Sequence, residues 1–216
     1  MRSFLLLSTL LVATITQAFQ VEPMVQKLSN AGLNAQGEYR VENTGQEPLA
    51  VESVVMVRNV KQGTDEELSP AERDFIVMPP QATIEPGAFQ LFRVRYLGSE
   101  PLSETTSYRI IFKQLPLKHE TESSGVDLLF NFSTLVFVSP DGAVGRVETR
   151  IENERIVMKN LGNGLVDFNS STVLIRTASS TKSLPWNEFG VNSPANFLVP
   201  GQEITIPIDL AGLLVK

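Results

Sequence analysis

An all-β chain of two related sandwich modules is the architecture this sequence predicts, and three observations carry it. After residue 18 apolar and polar side chains alternate with a period of two over most of the chain, the pattern of half-buried strands. Turn residues, Gly, Pro and Asn, recur between these runs, while sustained helical periodicity is missing. The third observation is an internal echo. Val41-Glu-Asn43-Thr-Gly45 and Met158-Lys-Asn160-Leu-Gly162 each carry a strand into an Asn-x-Gly turn. Each is followed by a Pro-Gly pair that opens another strand, 43 residues from Asn43 to Pro86 and 40 from Asn160 to Pro200. Two landmarks in the same order at nearly the same separation argue for a repeated unit rather than for reuse of common turn residues.

The elements follow in order. Met1-Arg2 and the apolar run Phe4–Ile15, ending in Thr16-Gln17-Ala18, form a secretory signal peptide over 1–18, cut after Ala18. The run is shorter than the roughly 20 residues a spanning helix needs, so the mature chain is expected in an exported compartment and not embedded in a membrane. Strands are expected at Val51–Arg58, Phe89–Tyr96, Tyr108–Lys113, Val144–Ile151, Ser171–Arg176 and Glu203–Asp209. Ser69-Pro-Ala-Glu72 has capping-box spacing with Pro at the first helical position, and predicts one short helical turn. The cluster Ser139-Pro-Asp-Gly142 separates two apolar stretches. It sets the division into a first module at 19–140 and a second at 141–216. Strand spacing of this kind fits immunoglobulin-like sandwiches.

Composition excludes much chemistry. The 216 residues contain no Cys and one His, so disulfides, thiol catalysis, thiolate metal sites and any site needing two imidazoles are ruled out. A net charge of −6 without a Lys/Arg run speaks against nucleic acid as a partner. His119 lies in the polar loop Lys118–Gly125, where a solvated imidazole is the default. Phosphate-binding glycine loops and His-Glu-x-x-His motifs are missing, and the pair Glu66-Glu67 falls in loop-like sequence. No catalytic residue, metal site or cofactor is expected, and the chain reads as a non-enzyme.

The stretch from Gly125 to Pro140 is the most informative. Its length far exceeds an ordinary strand of about 5–6 residues. Val126, Leu128, Phe130 and Phe132 fall on one face, and Asp127, Leu129, Asn131 and Ser133 on the other. As the last strand of its module it is a candidate edge, and a long apolar edge is an aggregation hazard unless something covers it. Two readings stand on the pattern alone. The four side chains fill their own core, or they pair with another chain.

The sequence resembles the periplasmic chaperones of chaperone–usher pili, in particular the archaic or alternative branch. The likeness rests on Asn43-Thr-Gly45, on Met78-Pro-Pro80 followed by Ile84-Glu-Pro-Gly87, and on Gln90-Leu-Phe-Arg93-Val-Arg95. Tyr108-Arg109 through Leu115-Pro116, Ser133 through Pro140, Asn160-Leu-Gly162 and Leu198-Val-Pro-Gly201 continue it over essentially the mature chain. The resemblance implies a periplasmic, non-enzymatic protein. It would hold pilus subunits whose sandwich lacks a strand, lend them its own strand, and pass them to an outer-membrane usher. Strand addition of this type is a general recognition mode that includes donor-strand complementation. Val126, Leu128, Phe130 and Phe132 are then the donor side chains. Self-association of the client-free chain would cover the same edge. The competing reading is an exported two-domain adhesion or surface-binding protein without client folding.

The resemblance also implies basic side chains that anchor the subunit's terminal carboxylate. The better-known branch carries a Lys and an Arg near the end of the donor strand, but Leu135–Ser139 here holds no basic residue. Arg109 is the expected substitute. Lys113 shares its strand face, and Arg93 and Lys27 are the remaining candidates.

Overall fold

A computed structural model describes residues 19–98, 101–117, 128–153, 155–169, 171–176 and 181–207. The signal-peptide segment, the His119 loop, Asp127 and Val126 lie outside the described residues.

The first module contains β1 (Gln20–Glu22), β2 (Val25–Ser29), β3 (Gln36–Glu42), β4 (Leu49–Val60), β5 (Glu66–Pro70), β6 (Phe75–Met78), β7 (Gln81–Ile84), β8 (Phe89–Tyr96), β9 (Thr106–Leu115) and β10 (Asn131–Ser139). One sheet runs β1-β3-β8-β6 and the other β2-β10-β9-β4-β5, with β7 on the early part of β4. All these pairings are antiparallel except β2 with β10. Alternation explains which residues meet between the sheets. Tyr39, Val41, Phe92 and Val94 from one inner face pack with Ile110, Phe112, Val136 and Val138 from the other. Tyr39 and Phe92 approach Phe112 edge-to-face, with ring centroids at 5.3 and 5.2 Å. Thr134 is polar and fully buried. Its hydroxyl is satisfied by the Ile110 carbonyl at 2.9 Å and the Tyr39 hydroxyl at 3.1 Å. Burial pushes the Tyr39 phenol up to about 12.

The second module contains β11 (Val147–Glu152), β12 (Arg155–Asn160), β13 (Val166–Asp167), β14 (Thr172–Arg176), β15 (Thr181–Pro185), α1 (Trp186–Phe189), β16 (Phe197–Leu198) and β17 (Glu203–Pro207). Its sheets are β11-β12-β17, β13-β16 and β14-β15. Its core is a separate cluster that includes Met158, Phe168, Trp186, Leu198 and Ile204. Phe168 stacks on Trp186 at 4.2 Å between centroids. The chain is thus all-β, with two immunoglobulin-like modules.

The internal echo is a structural device. Asn43 is buried, and its amide donates to the carbonyls of Glu47 and Ile84, both at 2.8 Å, while its oxygen accepts from Gly45 N–H at 2.9 Å. Asn160 does the same in the second module, donating to Gly164 and Leu198 at 2.8 and 3.0 Å and accepting from Gly162 at 2.9 Å. Each Asn carbonyl then receives the N–H of the later glycine, Gly87 or Gly201, at 2.9 Å. Those glycines have φ of 71° and 77°, the left-handed turn conformation that follows Pro at lowest cost in glycine.

Three expectations need correction. Ser69 and Pro70 end strand β5 opposite Val57 and Met56 instead of starting a helical turn. Pro is tolerated on this sheet edge, where its missing N–H interrupts no ladder, and the spacing had no helical apolar period behind it. Glu66 and Glu67 likewise lie in β5, not in a loop. In the region of the long apolar stretch, regular strand begins only at Asn131, and residues 128–130 precede it without regular structure. The helix at Trp186–Phe189 has four residues, too few to display a helical period in the sequence.

The modules meet through a third apolar cluster in which Val60, Phe137 and Val199 are buried, flanked by Val25, Leu135, Leu165 and Phe197. Backbone bonds tie them further, from Glu203 N–H to Lys61 and from Gly63 N–H to Glu203 at 2.9 and 2.8 Å, and from Thr105 N–H to Asn163 at 2.8 Å.

Candidate functional site: a half-covered strand and an arginine pair

Strand β10 has two unlike edges. On one side β9 pairs along nearly its whole length, from Asn131 opposite Lys113 to Val138 opposite Thr106. On the other side β2 pairs only from Leu135 opposite Val25 to Ser139 opposite Ser29. The first bond of that ladder runs from Leu135 N–H to the Met24 carbonyl at 2.9 Å. Before Val25 the chain leaves, and β1 joins the other sheet opposite β3. Peptide groups alternate sides along a strand. The Phe130 carbonyl accepts from Gln114 N–H at 3.0 Å on the β9 side, and Leu135 N–H faces the β2 side. The peptide groups of Asn131 and Ser133 therefore face the slot that β2 leaves uncovered.

Side chains change character at the same place. Phe132, Val136 and Val138 line the module's core, Phe132 partly buried against it with its ring 4.7 Å from that of Phe19. Leu135 and Phe137, on the opposite face, enter the cluster between the modules. Ahead of them Leu128 is 73% exposed and Phe130 44% exposed, with Leu129 also exposed. Of the four candidate donor side chains, two are solvent-exposed, Phe132 is seated at the end of its own core, and Val126 lies outside the described residues.

The basic candidates separate in space. Arg109 projects from β9 on the outer face, beside Leu135. It holds Glu66 with two parallel hydrogen bonds, Nε to Oε1 at 3.1 Å and Nη2 to Oε2 at 2.8 Å. Arg58, from β4, donates through Nε to the same Oε2 at 2.5 Å. Burial pushes the Glu66 carboxyl up, but the hydrogen bonds from Arg109 and Arg58 outweigh it and hold it below the usual carboxylate range. The trio lines an open cleft of 390 Å³ between the modules, bordered also by Leu135, Asn196 and Phe197. Lys27 borders the same cleft: it pairs with Asp167 of the second module, and its ammonium lies 5.8 Å from the Phe197 ring centroid. Lys113 is four residues from Arg109 on the same face, opposite Asn131. Arg93 stands on the other sheet, exposed, with Glu38 at 3.5 Å, so it is not part of the cleft.

Local sequence pattern does not single out Arg58, and it places Glu66 in a loop instead of a strand. Alternation places Arg58 on the face opposite the buried Val51 and Val55, which a strand reading could have noted. Its meeting with Arg109 depends on the register of β4 against β9, Met56 opposite Arg109, which no local pattern encodes. Among the described residues no cluster of His, Cys, Asp or Glu could hold a metal ion, and no helix is long and apolar enough to cross a membrane.

Comparison with known proteins bears on this arrangement. Residues 22–144 match the family model described as pili and flagellar-assembly chaperone, PapD N-terminal domain. A chain of the CsuC–CsuE chaperone–tip adhesion subunit pre-assembly complex, from archaic chaperone–usher Csu pili of Acinetobacter baumannii, has a similar fold. Its TM-score is 0.58 at 17% identity, over 89% of this chain and 91% of that one. The E. coli chaperone DraB gives a TM-score of 0.60 at 18% identity over 89% and 85%. The class 5 fimbriae chaperone CfaA gives 0.61 at 14% over 86% and 84%. No curated protein sequence matches the chain.

Proposed function

The chain belongs to the family of pilus and flagellar-assembly chaperones, and from that premise we propose that it captures its client along the uncovered half of β10. As a member of the family it is a periplasmic chaperone that binds pilus subunits and delivers them to an outer-membrane usher, and it is not an enzyme. The alternative of an adhesion module without client folding gives way to this assignment.

The observation that carries the strand proposal is the slot beside Asn131 and Ser133, continuous with the exposed Leu128 and Phe130. A client strand lying in line with β2, and parallel to β10 as β2 is, would complete a ladder that stops at Leu135. Val126, Leu128 and Phe130 would then enter the gap in the client's sandwich, while Phe132, the fourth residue of that face, stays against its own module's core. At about 1.5–3 kcal/mol for each large side chain fully buried, these three offer roughly 4.5–9 kcal/mol before the cost of association and ordering. Such a strand ends next to Leu135, across from the arginine pair. Arg109, joined by Arg58, is our reading of the carboxylate anchor, since paired guanidinium forks suit a terminal carboxylate. Lys113 and Lys27 flank it, and Arg93 is assigned no part. Arg109 in the Tyr-Arg strand, with no basic residue over Leu135–Ser139, favours an archaic-type member.

The same reading takes 1–18 as a cleaved export signal, divides the chain into 19–140 and 141–216, and has client-free chains cover their open edges by pairing with one another. The two separate core clusters support the division. Phe130→Asp tests the strand: co-expressed with its pilus subunit, the variant should fold normally yet yield no one-to-one complex. An intact complex removes Phe130 from the donor role. Arg109→Ala should lower capture roughly tenfold or more, and wild-type yield would remove it from the anchor.

A further inference from the structure

Two guanidiniums side by side repel each other, and here three adjacent strands converge to relieve that. Arg58 comes from β4, Glu66 from β5 and Arg109 from β9. Only 9% of the Arg58 side chain is exposed, so its charge is largely desolvated and requires a partner. Glu66 supplies it while binding Arg109 through both carboxylate oxygens. One carboxylate against two guanidiniums leaves a net charge of +1. Each guanidinium carries five N–H donors, and those not engaged by Glu66 have no protein acceptor among the described residues. Both side chains line the cleft, bordered by Leu135 and Phe197. The trio therefore has charge and donors left for one more anion, in a geometry fixed before the anion arrives.

We propose that Glu66 is the positioning residue of a two-arginine carboxylate clamp, holding Arg58 and Arg109 side by side so that their remaining donors receive a peptide's terminal carboxylate. This rests on the reading of Arg109 as the client anchor and adds the residue that makes the pair possible. Glu66 does not itself touch the incoming group. It sets the relative orientation of the two forks and limits their repulsion. A competing role has the opposite sign. Were Glu66 an internal occupant that the client must expel, its removal would tighten carboxylate binding.

The test uses the full mature chain and two synthetic twelve-residue peptides of alternating Val and Thr, one with a free terminal carboxylate and one amidated, each carrying a fluorophore at the other end. Anisotropy gives the affinity for both, and the ratio is the readout, because a merely structural defect weakens both peptides alike. The wild type should prefer the free acid. Glu66→Gln should keep its affinity for the amide and lose the preference, a fall of roughly tenfold in the ratio, while Arg93→Ala keeps the wild-type ratio. A ratio in Glu66→Gln that equals or exceeds the wild type's overturns the role of Glu66 alone. If the wild type shows no preference, the anchor reading fails, and the clamp with it. Should Glu66→Gln not fold, Glu66→Asp keeps the charge with one methylene less reach. Its ratio should fall part of the way, and an unchanged ratio overturns the proposal.

Discussion

The two halves of β10 obey the same alternation and have opposite fates. From Leu135 to Val138 the strand is paired on both edges and buried on both faces, inward through Val136 and Val138 and outward through Phe137. Up to Thr134 it is paired on one edge only among the described residues, and the apolar residues leading into it are exposed. Nothing in side-chain type separates Phe130 from Phe137. Phe137 points outward and is buried where the second module packs on the strand, whereas Phe130 lies ahead of the first module's core; β2 does not reach the edge beside it because the chain crosses from one sheet to the other before Val25. A strand can thus be rooted in its own domain at one end and offered to another chain at the other.

Equal substitutions in the two halves should sharpen this contrast. The largest effect is expected at Phe137, 1% exposed. Phe137→Ala should cost about 3–5 kcal/mol of stability, read as a lowered denaturant midpoint, and should loosen the contact between the modules. Phe130→Ala should leave stability within about 0.5 kcal/mol and weaken the subunit complex by about 1.5–3 kcal/mol. If Phe130→Ala unfolds the free protein, the two halves are not distinct. Smaller again is Ser133→Pro, which removes one N–H from the uncovered edge and none from the ladder with β9. The complex should lose one hydrogen bond, about 0.5–1.5 kcal/mol, with the free protein unchanged.

The smallest effect concerns the cleft beyond the rooted half. Burial raises the Asp167 carboxyl, but its hydrogen bond from Lys27, with further bonds from Asn169, holds it below the usual range. A depressed folded pKa means that this pair's stabilisation is complete above the ordinary carboxylate value and is lost as pH falls through the depressed one. The pair is partly exposed, so at most about 1 kcal/mol is at stake. Thermal unfolding followed from neutral to acid pH should show a shallower decline in Asp167→Asn than in the wild type. A parallel decline would show that Lys27 and Asp167 contribute nothing to the joint between modules.

Much of this molecule was legible locally. Strands at Phe89–Tyr96 and across Tyr108–Lys113 follow from alternation, since inward residues such as Phe92, Val94 and Ile110 must leave water. The repeated Asn turn was legible because one buried amide must satisfy fixed backbone groups, and that demand keeps both its identity and its distance to the Pro-Gly turn. The donor candidates Leu128, Phe130 and Phe132 were visible as a face. Arg109 is picked out by resemblance, whereas no local pattern joins it to Arg58 and Glu66.

By itself, then, the sequence determined the all-β class, the repeated module, the absence of thiol chemistry, and the apolar face that leads into β10. These depend on side-chain polarity and on contacts a few residues apart. Only tertiary structure decided where β2 stops covering β10 and which charges share the cleft. Both are set by register between strands distant in sequence, and a shift of two residues would preserve every local pattern while moving the open edge away from the arginine pair.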